Sequence, residues 1–203
     1  EVLAHSHDTA PDWIELYNKS SFTINLKNWK IFDAVGYESI PGRDWFLSPK
    51  AHIAIVEDSS FLDLWGDDAQ ILAMNRRLPS FNNSGDEVVL RDHTNRIIDS
   101  LRYDDSWGGG DGRSLERRNP NDSSNIQSNW ASSEAYQGAT PGRQNSIMVQ
   151  EQDARIVRDS VKVSPDNILK GDSVYTSFIL ENVGLKPIEY LEIEARYHQI
   201  PDS

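Results

Sequence analysis

The chain has 203 residues and a formal net charge of −12, from 20 basic and 32 acidic side chains. Both halves are acidic, with 14 basic and 22 acidic residues in 1–147 and 6 and 10 in 148–203, so no basic domain is hidden and bulk electrostatics oppose DNA and anionic membranes. There is no cysteine, which excludes disulfide frameworks and thiolate metal sites, and no run approaches the ~18 apolar residues that span a bilayer.

Nine prolines and 12 glycines punctuate short apolar runs, the texture of an all-β protein. The predicted strands, in chain order, are Val2–His5, Trp13–Asn18, Trp29–Phe32, His52–Val56, Glu87–Arg91, Arg96–Tyr103 and Ser114–Arg117. Several alternate with a period of two. Ile14 and Leu16 share one face, and Trp13, Glu15 and Tyr17 the other; Val88 and Leu90 point one way, Val89 and Arg91 the other. One buried face per sheet is what a sandwich requires. Between Asp58 and Asn75, the residues Phe61, Leu62, Leu64, Trp65 and Ile71 suggest one or two helical turns across an end of the sandwich. Residues 106–112 break the strand pattern, and residues 119–130 and 138–147, rich in Asn, Ser, Pro and Gly, read as irregular tails on the sandwich, the first pinned by Trp130. No signal peptide is visible. Because the chain opens inside a predicted strand, an upstream segment is expected to have been removed.

The stretch Asn83–Trp107 is a hairpin with labelled ends: a turn cluster at 83–86, a strand at 87–91, a polar connection at 92–95 and a returning strand closed by Asp104-Asp105. Around it stand Trp13-Ile14-Glu15-Leu16-Tyr17-Asn18, Leu26-Lys27-Asn28-Trp29, Gly112-Arg113-Ser114-Leu115-Glu116-Arg117, Ser128-Asn129-Trp130 and Thr140-Pro141-Gly142-Arg143-Gln144-Asn145. Six such motifs in this order over Glu1–Asn145 resemble the lamin tail domain, with Pro41–Leu78 the poorest match. The resemblance implies an immunoglobulin-like β-sandwich over 1–147, with Trp29, Trp107 and Trp130 in its core.

A second unit is expected over 148–203. Ile156–Val163, Ser173–Val183 and Tyr190–Tyr197 read as three strands, with Val161, Val163, Val174, Phe178, Leu180 and Ile193 supplying core. Ser164-Pro165, Gly171-Asp172 and Asn182-Val183-Gly184 resemble the start of a CARDB-like immunoglobulin-like module. Such a sandwich needs about 100 residues, so this one is expected to be partial. Three strands with an open apolar face must pack or pair elsewhere, and dimerisation or strand exchange through 154–203 is the expected result. Sedimentation at high concentration checks it: a monomer with this segment ordered counts against it.

Candidate chemistry is sparse. His5 and His7, two apart on a strand with Asp8 beyond, share a face and suit a metal-dependent hydrolase or nuclease; two exposed histidines at a frayed strand end are the simpler account. Asp104, Asp105 and Asp111 are oxygen donors on flexible backbone that suit Ca²⁺, against a role in ending the strand. Asp63, Asp67 and Asp68 offer less. Glu15, flanked by Trp13 and Tyr17, could have a raised pKa and act as an acid; the lamin-tail resemblance implies instead a structural role, a hydrogen bond that locks a loop or neighbouring strand, and there is no partner for a glycosidase dyad. Arg102, Arg113, Arg117 and Arg118 form either a lamin-like nucleic-acid patch or a solvated face paired with Asp104, Asp105 and Glu116. Trp45, Phe46 and Trp65 are the first aromatics to inspect for a sugar-stacking surface, with local core as the simpler account. No nucleophile, zinc-protease or phosphate-loop motif occurs. The expectation is a non-enzymatic binding or structural module of a larger secreted or cell-surface protein, needing no cofactor or metal, with a protein or surface polysaccharide as partner.

Overall fold

The computed structural model describes residues 1–3, 11–66, 69–150, 152–164 and 173–193. The chain divides into two compact units, Glu1–Met148 and Val149–Ser203. In the first, β1 (Val2–Leu3), β2 (Trp13–Tyr17), β3 (Ile24–Asn25), β4 (Lys30–Phe32), β5 (Tyr37–Ser39), β6 (Phe46–Leu47) and β7 (His52–Val56) precede a helical turn, α1 (Phe61–Trp65). Then follow β8 (Ile71–Ala73), β9 (Gly85–Arg91), β10 (Ile97–Asp104), β11 (Leu115–Arg117) and β12 (Trp130–Ser132). A six-stranded sheet, in the order β12-β11-β1-β2-β7-β8, faces a four-stranded sheet, β10-β9-β4-β5; β3 and β6 form a separate pair. The pairing of β7 with β8 is parallel and the other pairings are antiparallel. The chain is an all-β, immunoglobulin-like sandwich.

The sequence alternation sets the two layers of the core. Ile14, Ile31, Ile53, Ile55, Val88 and Leu101 meet between the sheets, joined by Trp29 and Trp130, with Trp45 and Trp107 packed at the margin. The opposite face of the six-stranded sheet is also buried: Leu3, Trp13, Ala54 and Val56 pack against Phe61 and Ala139. Strand β7 is therefore apolar at four successive positions, because it has core on both sides. Trp13 is fully buried with Phe61 and Trp65 edge-on to it, at ring-centroid distances of 5.7 and 6.3 Å. Helix α1 starts where Asp58 accepts the Ser60 amide at 2.8 Å and stops at Gly66, whose φ of 87° no residue with a Cβ adopts cheaply.

The β9–β10 hairpin turns on Asp92, whose Oδ1 accepts from the amides of Thr94 (2.9 Å) and Arg96 (3.0 Å), with Asn95 at φ 71°. A bulge between Ile97 and Asp99 follows. The 58–75 region contains the expected helical turn and also β8, a three-residue strand too short to show a period. Trp130 and the two residues after it, expected in or beside an irregular tail, instead form the edge strand β12.

The second unit has two small ladders. β13 (Ala154–Ile156) pairs with β16 (Leu180–Asn182), and β14 (Lys162–Ser164) with β15 (Tyr175–Ser177). The expected Ile156–Val163 strand is interrupted at Arg158–Ser160 by a 3-10 turn, and 190–193 is not a strand. Val161, Val163, Leu180 and Ile193 were expected as core but are exposed, with Val174 and Phe178 intermediate. None of the described residues of this unit is a buried hydrophobe, because two-stranded ladders have no second layer to close on.

Candidate functional site

Three glutamates stand side by side across the middle of the six-stranded sheet, on its outer face. The registers Val2↔Leu115 and Val2↔Ile14 place Glu1 beside both Glu116 on β11 and Glu15 on β2. All three are buried. Adjacent carboxylates repel, and burial costs each its hydration, so the row persists only because segment 133–147 satisfies it. Glu1 accepts from Ser114 Oγ (2.5 Å), Thr140 N (3.0 Å) and Thr140 Oγ1 (2.9 Å). Glu116 lies 2.9 Å from the same Thr140 Oγ1, whose single proton the two carboxyls share, and accepts from Ser146 Oγ (2.7 Å) and Ile147 N (3.1 Å). Glu15 accepts from Gly142 N at 2.7 Å. Burial raises the Glu1 carboxyl above the usual range and Glu15 well above it, with the bonds from the strap opposing the shift. The Thr140–Asn145 motif is thus a strap clasped by carboxylates, and Glu15 has the locking role expected of it. Glu1 and Glu116 carried no such signal, since neither is flanked by aromatic residues as Glu15 is.

A cavity of about 710 Å³ is lined by Leu16, Tyr17, Leu90, Leu101, Trp130 and Asn145 among others. Asn145 Nδ2 donates to Arg117 O at 3.1 Å, while its buried Oδ1 has no partner among the described residues. His52 lies against Tyr17, ring centroids 4.5 Å apart, and burial first of all lowers its pKa to about 4.

The outer face of the four-stranded sheet has a different character. Lys30 on β4 stands directly opposite Arg91 on β9, and Phe32 opposite Tyr37 on β5. The two rings lie 4.8 Å apart; Arg91 sits 5.1 Å from the Phe32 centroid and Lys30 5.2 Å from that of Tyr37. Among the described residues no carboxylate pairs with either cation; Asn95 alone meets both, through its side chain (3.5 Å from Lys30) and its carbonyl (3.3 Å from Arg91). Nothing in the sequence marks this cluster, because it is assembled across three strands.

Most of the predicted site residues fall elsewhere. His5, His7 and Asp8, and likewise Asp67 and Asp68, lie outside the described residues. Among the described residues no group of three His, Asp or Glu side chains is arranged to hold a metal ion. Asp104 accepts the Ser106 amide at 2.9 Å and caps a short 3-10 turn at Asp105–Trp107, while Asp111 occupies a turn at φ 52°. The arginine patch is not assembled. Arg113 donates to the carbonyls of Ser133 (2.7 Å) and Ala135 (3.1 Å), and Arg117 pairs with Asp99 at 3.0 Å rather than with Asp104, Asp105 or Glu116. Glu116 is taken by the strap. Trp45 and Trp65 pack against core, and Phe46 is exposed.

The family model for the Lamin Tail Domain matches residues 1–105, and no curated protein matches the chain. The matched stretch holds β1 to β10, hence the whole four-stranded sheet with its Lys30–Arg91 face, while the strap lies beyond it. That family consists of non-catalytic immunoglobulin-like domains, in keeping with a binding or structural module. With 105 of its 203 residues matched and a sandwich of the corresponding type, the chain belongs to the lamin tail domain family.

Proposed function

We propose that this chain is a non-catalytic binding module of a larger exported, surface-associated protein, and that it holds an acidic surface polysaccharide on the outer face of β10-β9-β4-β5. One observation carries the reading. Lys30 and Arg91 are like charges directly opposite each other on neighbouring strands, an arrangement that costs stability. Cation–π contact with Tyr37 and Phe32 offsets part of that cost, and no acid is recruited to remove the rest. A local rule broken without full compensation is a mark of function. The opposite face of the sandwich is sealed by α1 and the strap, leaving this one to meet a partner. A chain carrying −12 overall keeps two cations and two rings together here, which suits carboxylate-bearing sugars: the rings stack on sugar faces and the cations meet uronic acids. The net charge opposes any polyanion, sugar or nucleic acid alike, so the local cation pair has to carry the binding.

Titration with polygalacturonate tests this. The unaltered protein is expected to bind with an affinity that falls as salt rises, and the double variant Lys30→Glu, Arg91→Glu to bind at least tenfold more weakly while still unfolding in one cooperative transition. Binding that survives the double charge reversal, or no binding at low salt, rules the reading out.

The second unit we read as the start of a CARDB-like module. Its Asn182-Val183-Gly184 turn supports this: Gly184 N donates to Asn182 Oδ1 at 3.0 Å, and the amides of Val183 and Gly184 both reach Asp153 O. The exposed apolar residues on its short ladders support self-association through 154–203.

A further inference from the structure

Resting on the reading of the outer β10-β9-β4-β5 face as a polysaccharide site, we propose that Lys30, Arg91 and Asn95 seat a single carboxylate, and that the ligand is a polysaccharide whose acidic sugars stand isolated among uncharged ones.

The strand registers map the face. Residues directly opposite each other on paired antiparallel strands share a face, so rows of side chains cross the sheet. One row runs Ser39, Lys30, Arg91, Ile97. The next runs Tyr37, Phe32, Val89, Ser100. The two cations are neighbours at the centre of the first row, and every other member of both rows is uncharged. Beyond the second row Glu87 stands opposite Arg102, so those two charges offset each other. Unbalanced positive charge is therefore confined to one spot.

Asn95 makes that spot one seat rather than two. Lys30 Nζ lies 3.5 Å from its side-chain oxygen, and its carbonyl accepts from Arg91 Nη1 at 3.3 Å, so both charged heads gather at one residue. Arg91 Nε is buried with no acceptor among the described residues, a donor that an incoming anion satisfies. A carboxylate has two oxygens and accepts from a guanidinium edge and an ammonium together, while the flexible stem of Lys30 lets it in. The residue type at 95 matters as much as its place. Its φ of 71° is left-handed backbone that asparagine and aspartate both tolerate. Aspartate would set a carboxylate on Lys30 and fill the seat from within. Asparagine holds the same two heads and leaves both charges to a ligand.

The surroundings set the selectivity. Sugars to either side of the seated one lie over the uncharged members of the two rows, where a second carboxylate would lose hydration and meet no cation. The net charge of −12 repels each additional acid. Both effects favour flanking sugars that are neutral or whose acids are esterified.

Tetragalacturonate in three forms tests this on the full chain by calorimetric titration at low salt: fully acidic, methyl-esterified at all but one internal sugar, and fully esterified. The single-acid form is expected to bind at least as tightly as the fully acidic one, and the fully esterified form about tenfold more weakly. Asn95→Asp is expected to weaken the single-acid form about tenfold and to leave the fully esterified form unchanged, whereas damage to the fold would weaken both alike. Affinity that drops step by step with each ester overturns the single seat and leaves the reading of the face standing. If neither acidic form binds, that reading fails and the seat with it. An Asn95→Asp protein that binds the single-acid form like the parent removes Asn95 from the seat and overturns the proposal.

Discussion

Replacing Glu116 with alanine is expected to lower the stability of the first unit by about 3 kcal/mol and to release the strap. Glu116 is fully buried, and its carboxylate receives Thr140 Oγ1, Ser146 Oγ and Ile147 N. Alanine leaves the Ile147 amide without an acceptor in a dry site, at ~1–3 kcal/mol, and leaves two hydroxyls to find other partners. The lost side-chain volume adds a cavity cost of a similar order. One effect opposes these: Glu1 loses a repelling neighbour, so part of the cost is returned. The deletion terms outweigh that relief, because they remove contacts at three positions of one segment. Chemical denaturation gives the magnitude, and limited proteolysis shows where it falls, with new cleavage expected within 133–147. Glu116→Gln keeps one acceptor oxygen but turns an NH₂ towards donors, and should fall between the two. A Glu116→Ala protein as stable as the parent, with its strap uncut, would show that the carboxylate row does not hold the strap.

That clasp also shows how far the sequence could be read. Strand β7 was legible from end to end, because Ile53, Ala54, Ile55 and Val56 are buried on both sides and no loop or helix face calls for four such residues in a row. The β9–β10 hairpin was legible because its turn chemistry is local: Asp92 acts on Thr94 and Arg96. Glu15 was legible through its place between Trp13 and Tyr17, which marks it as buried whatever it binds. Strand β8 was not, since Ile71-Leu72-Ala73 becomes a strand only through parallel pairing with β7. The Arg117–Asp99 pair joins β11 of one sheet to β10 of the other, and no local pattern announces it. Lys30 and Arg91 look like ordinary surface cations until the register sets them opposite each other. Features encoded within a few residues could be read; those made by chain segments meeting across sheets could not. The proposed binding face belongs to the second kind, so the family resemblance revealed the scaffold without that cluster.

Gly142→Ala is the second large effect expected, and it approaches the same strap from the backbone. Gly142 has φ 68°, in the left-handed region where a Cβ costs about 1 kcal/mol or more. Space is the larger constraint. A Cβ there would lie 2.4 Å from both the N and the O of Gln70 and 2.9 Å from its carbonyl carbon. Those are backbone atoms just before β8, and Gln70 O accepts the Ala54 amide at 2.9 Å, so they cannot yield without disturbing the β7 edge. Relief must come from the strap, and lifting it breaks the Gly142 N bond to Glu15. Glu15 would then be a buried carboxylate with a donor removed, and its already raised pKa should rise further. Strain, overpacking and the lost bond together come to about 3 kcal/mol. The pH dependence separates this from a simple clash. An acid whose folded pKa is raised contributes stability that is present at low pH and lost as pH rises through its folded value. The deficit of Gly142→Ala should therefore shrink on acidification, as Glu15 becomes neutral and no longer needs the amide. Denaturation of both proteins across the acid-to-neutral range measures it: a deficit independent of pH leaves only the clash, and removes Glu15 from the clasp.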